Sequence, residues 1–535
     1  MATDKQPIYI LPENVQRMLG RDAQRNNILA ARMVADTVKT TLGPRGMDKM
    51  LVDSIGDITI TNDGVTILEE MEIEHPAAKM LVEVAKTQED AVGDGTTTAV
   101  VLAGKLLENA EKLLDQKIHS TVITKGYNIA AEKSLQILEK IATRIEKDEQ
   151  KLKSIAMTAM TGKSAETAKE KLAEIVSKAV IQVMDTDERG VSIDLNNIKI
   201  EKRKGDGIDD TELIAGIVLD KEKVHSDMPS VVKNAKIALL DVALEIKGPE
   251  TDTKISISAP EQLQAFIDQE EMILKNMVEK VKKSNANVLF CQKGIDDVAQ
   301  YYLTKEKIYA VRRISKSDME KLARATGGKI ISNLNELAEN DLGKANIVEE
   351  IRQGSEGMTY VRGCMNPKAL TILIRGGTEH VIDEIERAIK DGLGDVAATL
   401  HDGKIVAGGG AIEVELARRL RKETSVKGRE QLAVEQFADA IESIPKILAE
   451  NAGMDPIDVI TELKSRHERG EMHAGLNLFD NIIENTMARG IIEPLKIKTQ
   501  AIKSASEVAI MLLRIDDVVA SSSKSRPSMP QMDEY

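Results

Sequence analysis

From about residue 219 to residue 332, short apolar runs alternate with amphipathic helical stretches, while the sequence before 148 and after 405 reads mainly as helix punctuated by glycine-rich turns. Strands that alternate with helices build an α/β layer, and a helix-rich region buries its apolar stripes against other helices. The two ends of the chain are alike in character and the middle differs. The pattern therefore predicts a helical domain that the chain leaves, an inserted α/β domain, and a return. A length of 535 residues exceeds what one hydrophobic core holds, so three or four domains or sub-domains are expected.

The periodicity predicts a long helix over 14–42 that stops at Gly43-Pro44, a short β region over 50–64, and helices over 76–91, 96–115 and 121–148. A charged stretch then leads to a helix over 164–184 and strands within 194–205 and 212–220. The α/β alternation follows, with strands at 237–241, 288–291, 310–314 and 329–332 and helices at 259–283, 294–304 and 316–326. A strand at 369–376 opens another long helix. Helices over 411–422, 429–451 and 455–468 and a last one running to about 519 complete the chain. The Ser/Pro-rich tail, 521–535, has the composition of a disordered end.

Composition narrows the function classes. Aromatic residues are 2% of the chain and Trp is absent, so the cores must be built from Val, Ile, Leu, Met and Ala. A net charge of −14 argues against a nucleic-acid surface, which needs a basic face. The two cysteines, Cys291 and Cys364, form neither a CxxC pair nor a disulfide framework, which suits a reducing cytoplasm. No signal-peptide core and no apolar run of roughly 20 residues is seen, so no membrane partner is expected.

The strongest chemical signal is Gly93-Asp94-Gly95-Thr96-Thr97-Thr98, set between two helical stretches. Glycines permit close backbone approach, and the N-terminus of the following helix offers free N–H groups and a positive dipole end, which suits phosphate. Asp94 makes sense beside phosphate only with a cation between them, as carboxylates and phosphates jointly hold Mg²⁺. The competing reading is a helix cap with a hinge. Taken alone, Asn62-Asp63-Gly64 reads as a hairpin turn, and Asp391 as part of a solvated helix face. Gly162-Lys163-Ser164 mimics the end of a P-loop, but position 157 is Met where that motif needs Gly. Gly392-Leu393-Gly394 lies in a helical pattern rather than after a strand, so it is no dinucleotide fingerprint. At this level an ATP-driven machine and a metabolic phosphotransferase or ligase both remain open.

TTLGPRGMDKM (40–50), TITNDGVTILEEMEIEHPAAKM (59–80), VGDGTTTAVVLAG (92–104), KIVAGGGAIEVELARRL (404–420) and GIIEPLKIKTQAI (490–502) decide between them. Together, in order and in register, they resemble the group II chaperonins, related to the eukaryotic cytosolic type and most similar to the archaeal thermosome. The resemblance runs from about residue 8 to about 520. It implies a multidomain α/β fold. The mostly helical equatorial domain comes from 1–148 and 405–520, the small α/β intermediate domain from 149–218 and 370–404. The α/β apical domain spans 219–369, with a helical lid protrusion over about 245–275.

It also implies ATP hydrolysis with Mg²⁺, non-native proteins as substrates, and identical or sister subunits in two stacked rings of eight. By this resemblance Leu42, Gly43, Pro44, Gly64, Gly95, Thr96, Thr97, Thr98, Gly409, Glu493 and Lys498 are nucleotide-binding, and Asp94 holds Mg²⁺. Asp63 and Asp391 position and activate the attacking water, and Lys163 senses the γ-phosphate. The two carboxylates belong to different domains, so domain movement would complete the site. Within the lid, Ser258-Ala259-Pro260-Glu261 has the form of a helix start. The part of its helix up to Phe266 is expected at the lid contact and the apolar cluster over 273–281 in the core. Two departures stand out. The tail is Ser/Pro-rich where the family often has Gly and Met, and VHSDMP (224–229) replaces the more usual VHPGMP.

Overall fold

The structure is a computed structural model that describes residues 15–145, 148–163, 168–187, 190–205, 207–246, 260–353, 356–424 and 426–521. The chain divides into two compact units, one made of residues 1–146 and 402–535 and the other of 147–401.

The first unit is helical and is built around the helix Thr96–Asp115. Most of its first three turns is buried, including Ala99, Val100, Val101, Leu102, Ala103, Leu106 and Leu107. Small residues make this possible. A Cβ on Gly104 would lie 2.3 Å from the Cβ of Ala35 on the helix Gly20–Lys39, and one on Gly126 would lie 2.5 Å from that of Ala433. Tyr127 and Phe437, edge to face at 5.5 Å, are the large side chains of this core. The Tyr127 hydroxyl donates to the Leu106 carbonyl at 2.7 Å, which satisfies its polar end.

The chain ends meet here. Residues 15–19, expected as helix, form a strand antiparallel to Asp517–Ser521, which was expected as the end of the last helix. That helix stops at Leu513. The helix expected over 121–148 ends at Ile141 and is followed by the short strand Thr143–Arg144. The stretch 429–451 is two helices, Glu430–Ile441 and Ser443–Asn451. Pro445 accounts for the break, because its ring clashes with the carbonyl four residues back, that of Ile441.

The second unit holds two larger sheets. One has seven strands, in the order 309–311, 288–291, 231–240, 343–353, 356–362, 216–219, with 330–331 also paired to 231–240. Its parallel half, 231–240 with 288–291 and 309–311, is the expected α/β layer. Its antiparallel half contains 343–353 and 356–362, to which the periodicity assigned nothing. The other sheet pairs Ile198–Lys204 in parallel with Leu370–Gly376, and the latter with Glu212–Ile214. The charged stretch after 148 folds as a helix, Glu149–Met160, capped by Asp148. It packs beside the helix Glu379–Asp402, where a Cβ on Gly392 would lie 2.8 Å from Met160 Cε.

Among the described residues of the helix Pro260–Lys283, Leu274, Val278 and Val281 are buried and Phe266, Ile267, Met272 and Ile273 are exposed. Ile273 therefore leaves the core cluster to which the sequence assigned it. Residues 247–259, including the Ser258-Ala259 start signal, lie outside the described residues.

One buried charge cluster braces the first unit. Glu415, 1% exposed, accepts from Arg418 at 2.6 Å, Arg419 at 2.6 Å and His467 Nδ1 at 3.0 Å. Nε2 of His467 faces the Ala474 carbonyl at 2.8 Å. Burial alone would raise the Glu415 pKa; the hydrogen bonds from His467, Arg418 and Arg419 outweigh it and bring it down from 4.5 to about 2. A carboxylate with a lowered folded-state pKa stabilises above its unfolded value and loses that contribution as pH falls. Chemical denaturation between pH 7 and pH 2 is thus expected to show about 3 kcal/mol at most lost from this group between about pH 4.5 and 2. Glu415→Gln should lower stability at pH 7 and flatten that part of the acid profile; an unchanged profile would show that the cluster carries no such linkage.

Candidate functional site

Asp63 is not in a hairpin turn. The hairpin formed by Lys49–Val52 and Ile58–Thr61 closes before it, and Asp63 caps the short helix Gly64–Glu70. Its Oδ2 accepts from the Thr66 amide at 3.0 Å and the Thr66 hydroxyl at 2.7 Å. Its Oδ1 faces the Thr96 hydroxyl at 3.5 Å. The next residue, Gly64, sits so close to the neighbouring helix start that a Cβ would lie 2.6 Å from Thr97 Oγ1 and 3.0 Å from the Thr97 amide nitrogen. Two turns some thirty residues apart in sequence thus form one surface.

Gly93 and Gly95 both have positive φ, 90° and 80°. Gly93 ends the helix Pro76–Val92 with its amide on the Glu89 carbonyl, and Gly95 starts the next helix without a capping side chain. The amides of Thr96, Thr97 and Thr98 are the first-turn donors that no intrahelical carbonyl can reach. Asp94 Oδ1 accepts from the Gly95 amide at 2.7 Å. Gln88 holds the turn from behind, donating to the Asp94 carbonyl at 2.8 Å and to the Ile497 carbonyl at 3.3 Å. Ile497 also blocks a side chain at Gly95, where a Cβ would lie 2.5 Å from its Cγ2.

A second group of predicted residues gathers on the strand Ala474–Asn477 and the helix Ser443–Asn451. Gly43, with φ 85°, leaves 2.4 Å between a Cβ and Leu448 Cδ2. Asn451 donates to the carbonyls of Lys39 at 3.1 Å and Leu42 at 2.9 Å, fastening the turn that carries Leu42, Gly43 and Pro44. Gly409, φ 65°, accepts at its carbonyl from the Leu476 amide at 2.8 Å, and a Cβ there would lie 2.4 Å from the Leu476 carbonyl oxygen. Glu493 lies opposite Val406 in the strand pair that leads into this turn. Asn451, Gln88 and Leu476 were not found from the sequence, since each holds a segment far away in the chain: Asn451 the turn after Lys39, Gln88 the carbonyl of Ile497, and Leu476 the turn at Gly409.

The second unit pairs two other predicted residues. Lys163 donates to Asp391 Oδ2, and Asp391 is 7% exposed rather than on a solvated face. Gly392, its neighbour, lies mid-helix, which agrees with the rejection of a dinucleotide fingerprint. Lys498 is also buried, with its ammonium 2.9 Å from Glu413 Oε1 and 2.5 Å from Glu493 Oε2. Among the described residues, no group of three or more His, Cys, Asp or Glu side chains could hold a metal alone.

Residues 34–523 match the TCP-1/cpn60 chaperonin family. The chain belongs to that family. Among its relatives, the thermosome subunit of Methanopyrus kandleri is 60% identical over 528 residues, covering 98% of this chain and 97% of the relative. The thermosome subunit beta of Archaeoglobus fulgidus is 57% identical over 545 residues, covering 100% of each. The solved open-state monomer of a group II chaperonin from Methanococcoides burtonii is 49% identical, with a TM-score of 0.58, and matches 79% of this chain and 100% of that one. The chain is accordingly a group II archaeal chaperonin: an ATP-dependent chaperone and ATPase that works in a ring complex.

In this chaperonin the contact between Gly64 and Thr97 leaves no room for even a methyl group. Gly64→Ala is expected to displace the Asp63 turn and lower ATP turnover about 10–100-fold, as a misplacement near 1 Å does in a preorganised site. Circular dichroism should stay unchanged. Unaltered turnover would show that the spacing of these two turns does not matter to the reaction.

Proposed function

We propose that the first unit binds ATP on the surface formed by the Asp63 turn and the first turn of the helix Thr96–Asp115. The observation that carries this is the docking of Gly64 on Thr97 beside Asp94, which sets a carboxylate, uncapped helix amides and threonine hydroxyls around one place. Gly95, Thr96, Thr97 and Thr98 receive the phosphates. Leu42, Gly43 and Pro44 line the nucleotide through their backbone turn. Gly409 lies on the adenosine side and Glu493 bonds the ribose. Asp94 is the protein ligand of Mg²⁺, and the donor set fits: one carboxylate with phosphate oxygens is how that ion is usually held, without an all-protein cage. Mg²⁺ there shields the charge of the phosphates. Asp63 and Asp391 orient the water and take up its proton, and Lys163 reads the γ-phosphate by a charge-assisted contact.

In this reading the seven-stranded sheet belongs to the apical domain and the sheet of 198–204, 212–214 and 370–376 to the intermediate domain. Phe266, Ile267, Met272 and Ile273 offer apolar surface for the lid and for non-native proteins. Met47, Met50, Val52, Ile55, Ile58 and Ile60, exposed on and around the hairpin 49–61, favour burial against another subunit. The working assembly is two stacked rings of eight identical or sister subunits in the cytoplasm. Among the described residues no helix is long and apolar enough to cross a membrane.

Asp391→Asn is expected to keep ATP binding within a few-fold and to lower the hydrolysis rate by at least about 100-fold; equal loss of both would remove Asp391 from the chemistry. Electron microscopy of the purified protein should show double rings that close under a trapped hydrolysis state. Ile60→Lys should give smaller species, whereas intact rings would exclude the hairpin as an assembly surface.

A further inference from the structure

Lys498 sits in the first turn of the helix Leu495–Leu513, where the helix dipole disfavours a cation. It is nevertheless buried, 9% exposed, between Glu413 at 2.9 Å and Glu493 at 2.5 Å. Burial works against its charge, but the two carboxylates outweigh burial and hold its pKa above the ordinary lysine range. Its ammonium is thus held by two protein carboxylates.

The two oxygens of Glu493 have different surroundings. Oε2 is tied to Lys498. Oε1 lies against the turn at Gly408, where a Cβ would be 2.8 Å away, so that only glycine lets the oxygen approach. The backbone is fixed on both sides: Glu493 is paired with Val406, and Pro494 follows it with a restricted φ. What remains free is the side-chain torsion, and Lys498 sets it. Burial, then Glu413 and Asp94 as negative neighbours, push the Glu493 carboxyl above the ordinary value despite Lys498. Without that cation the site would hold several carboxylates with no counter-charge.

Glu413 completes the group. It is 6% exposed, and neither of its oxygens makes a hydrogen bond of good geometry, although Oε1 is within ion-pair distance of Lys498. Together with Thr98 it lines a cavity of about 20 Å³, room for a single water.

We infer that Lys498 is a positioning residue: it binds Glu493 Oε2 and so presents Oε1 at the Gly408–Gly409 turn to the ribose hydroxyls of the nucleotide. This rests on the reading of Glu493 as the ribose ligand, and the test separates the two. The affinities of the assembled protein for ATP, 2′-deoxy-ATP and 3′-deoxy-ATP are measured by competition. A charge-assisted hydrogen bond to a hydroxyl predicts that wild type prefers ATP about tenfold or more over at least one deoxy analogue. In Glu493→Gln that ratio should fall severalfold. Lys498→Met should lower the ratio to a similar extent. Glu413→Gln leaves the Lys498–Glu493 pair intact and should keep the wild-type ratio, whereas a merely structural triad would respond alike to both changes. If Lys498→Met does not assemble, the double variant Glu413→Gln with Lys498→Met removes one charge of each sign and carries the same expectation. A wild-type ratio near one overturns the ribose assignment and the inference with it. A ratio that falls in Glu493→Gln but not in the Lys498 variants overturns the positioning role alone.

Discussion

The close packing of the helix Thr96–Asp115 governs the first unit. Gly104 against Ala35 lets two helix backbones approach without an intervening side chain, and the same economy recurs at Gly126 against Ala433. Cores made this way need little aromatic volume, which accounts for a chain with no Trp and few Phe. The packing also fixes where the helix begins. Gly95, Thr96 and Thr97 can be a binding surface because the remainder of that helix cannot shift without opening the core. Stability and chemistry therefore depend on the same rigid element.

Charge is distributed with a similar division of labour. Glu415 lies in a shell of two arginines and a histidine, fully paired and far below its ordinary pKa. It braces the helix Ala411–Glu423 to the strand that begins at Ala474 through His467. Near the turns the pairing is incomplete. Glu413, Glu493 and Lys498 have one cation for two carboxylates, with Asp94 as a further negative neighbour. Asp391 in the second unit is held by Lys163. An excess of negative charge held in place is suited to a ligand that arrives with a cation.

Much of the fold was legible because its signals are local. The helices Pro76–Val92 and Thr96–Asp115 are bounded by glycines whose positive φ ends one helix and starts the next, and both were placed within a residue. The helix Lys316–Thr326, between its Ser315 cap and Gly327, was placed without error. The failures are also physical. Residues 15–19 and 517–521 become strands only because each finds the other across the length of the chain. The pair 343–353 and 356–362 carries charged residues through its strands and shows no clean alternation. The turn at 62–64 has the residues of a hairpin, yet its aspartate caps a helix that docks on another one.

The residue types alone determined that glycine turns and nearby carboxylates of this chain suit a phosphate with a cation, and the ordered motifs pointed to its family. These depend on backbone freedom and charge within a few positions. Tertiary structure decided which groups share one surface: Asp63 with Thr96, Gly409 with Leu476, Glu493 with Gly408 and Lys498. It also decided that Asp391 and Lys498 are buried in ion pairs rather than solvated. The reason is that burial and long-range pairing are properties of the closed core. Segments up to about 400 residues apart, such as Leu42 and Asn451, meet only once the whole unit has packed.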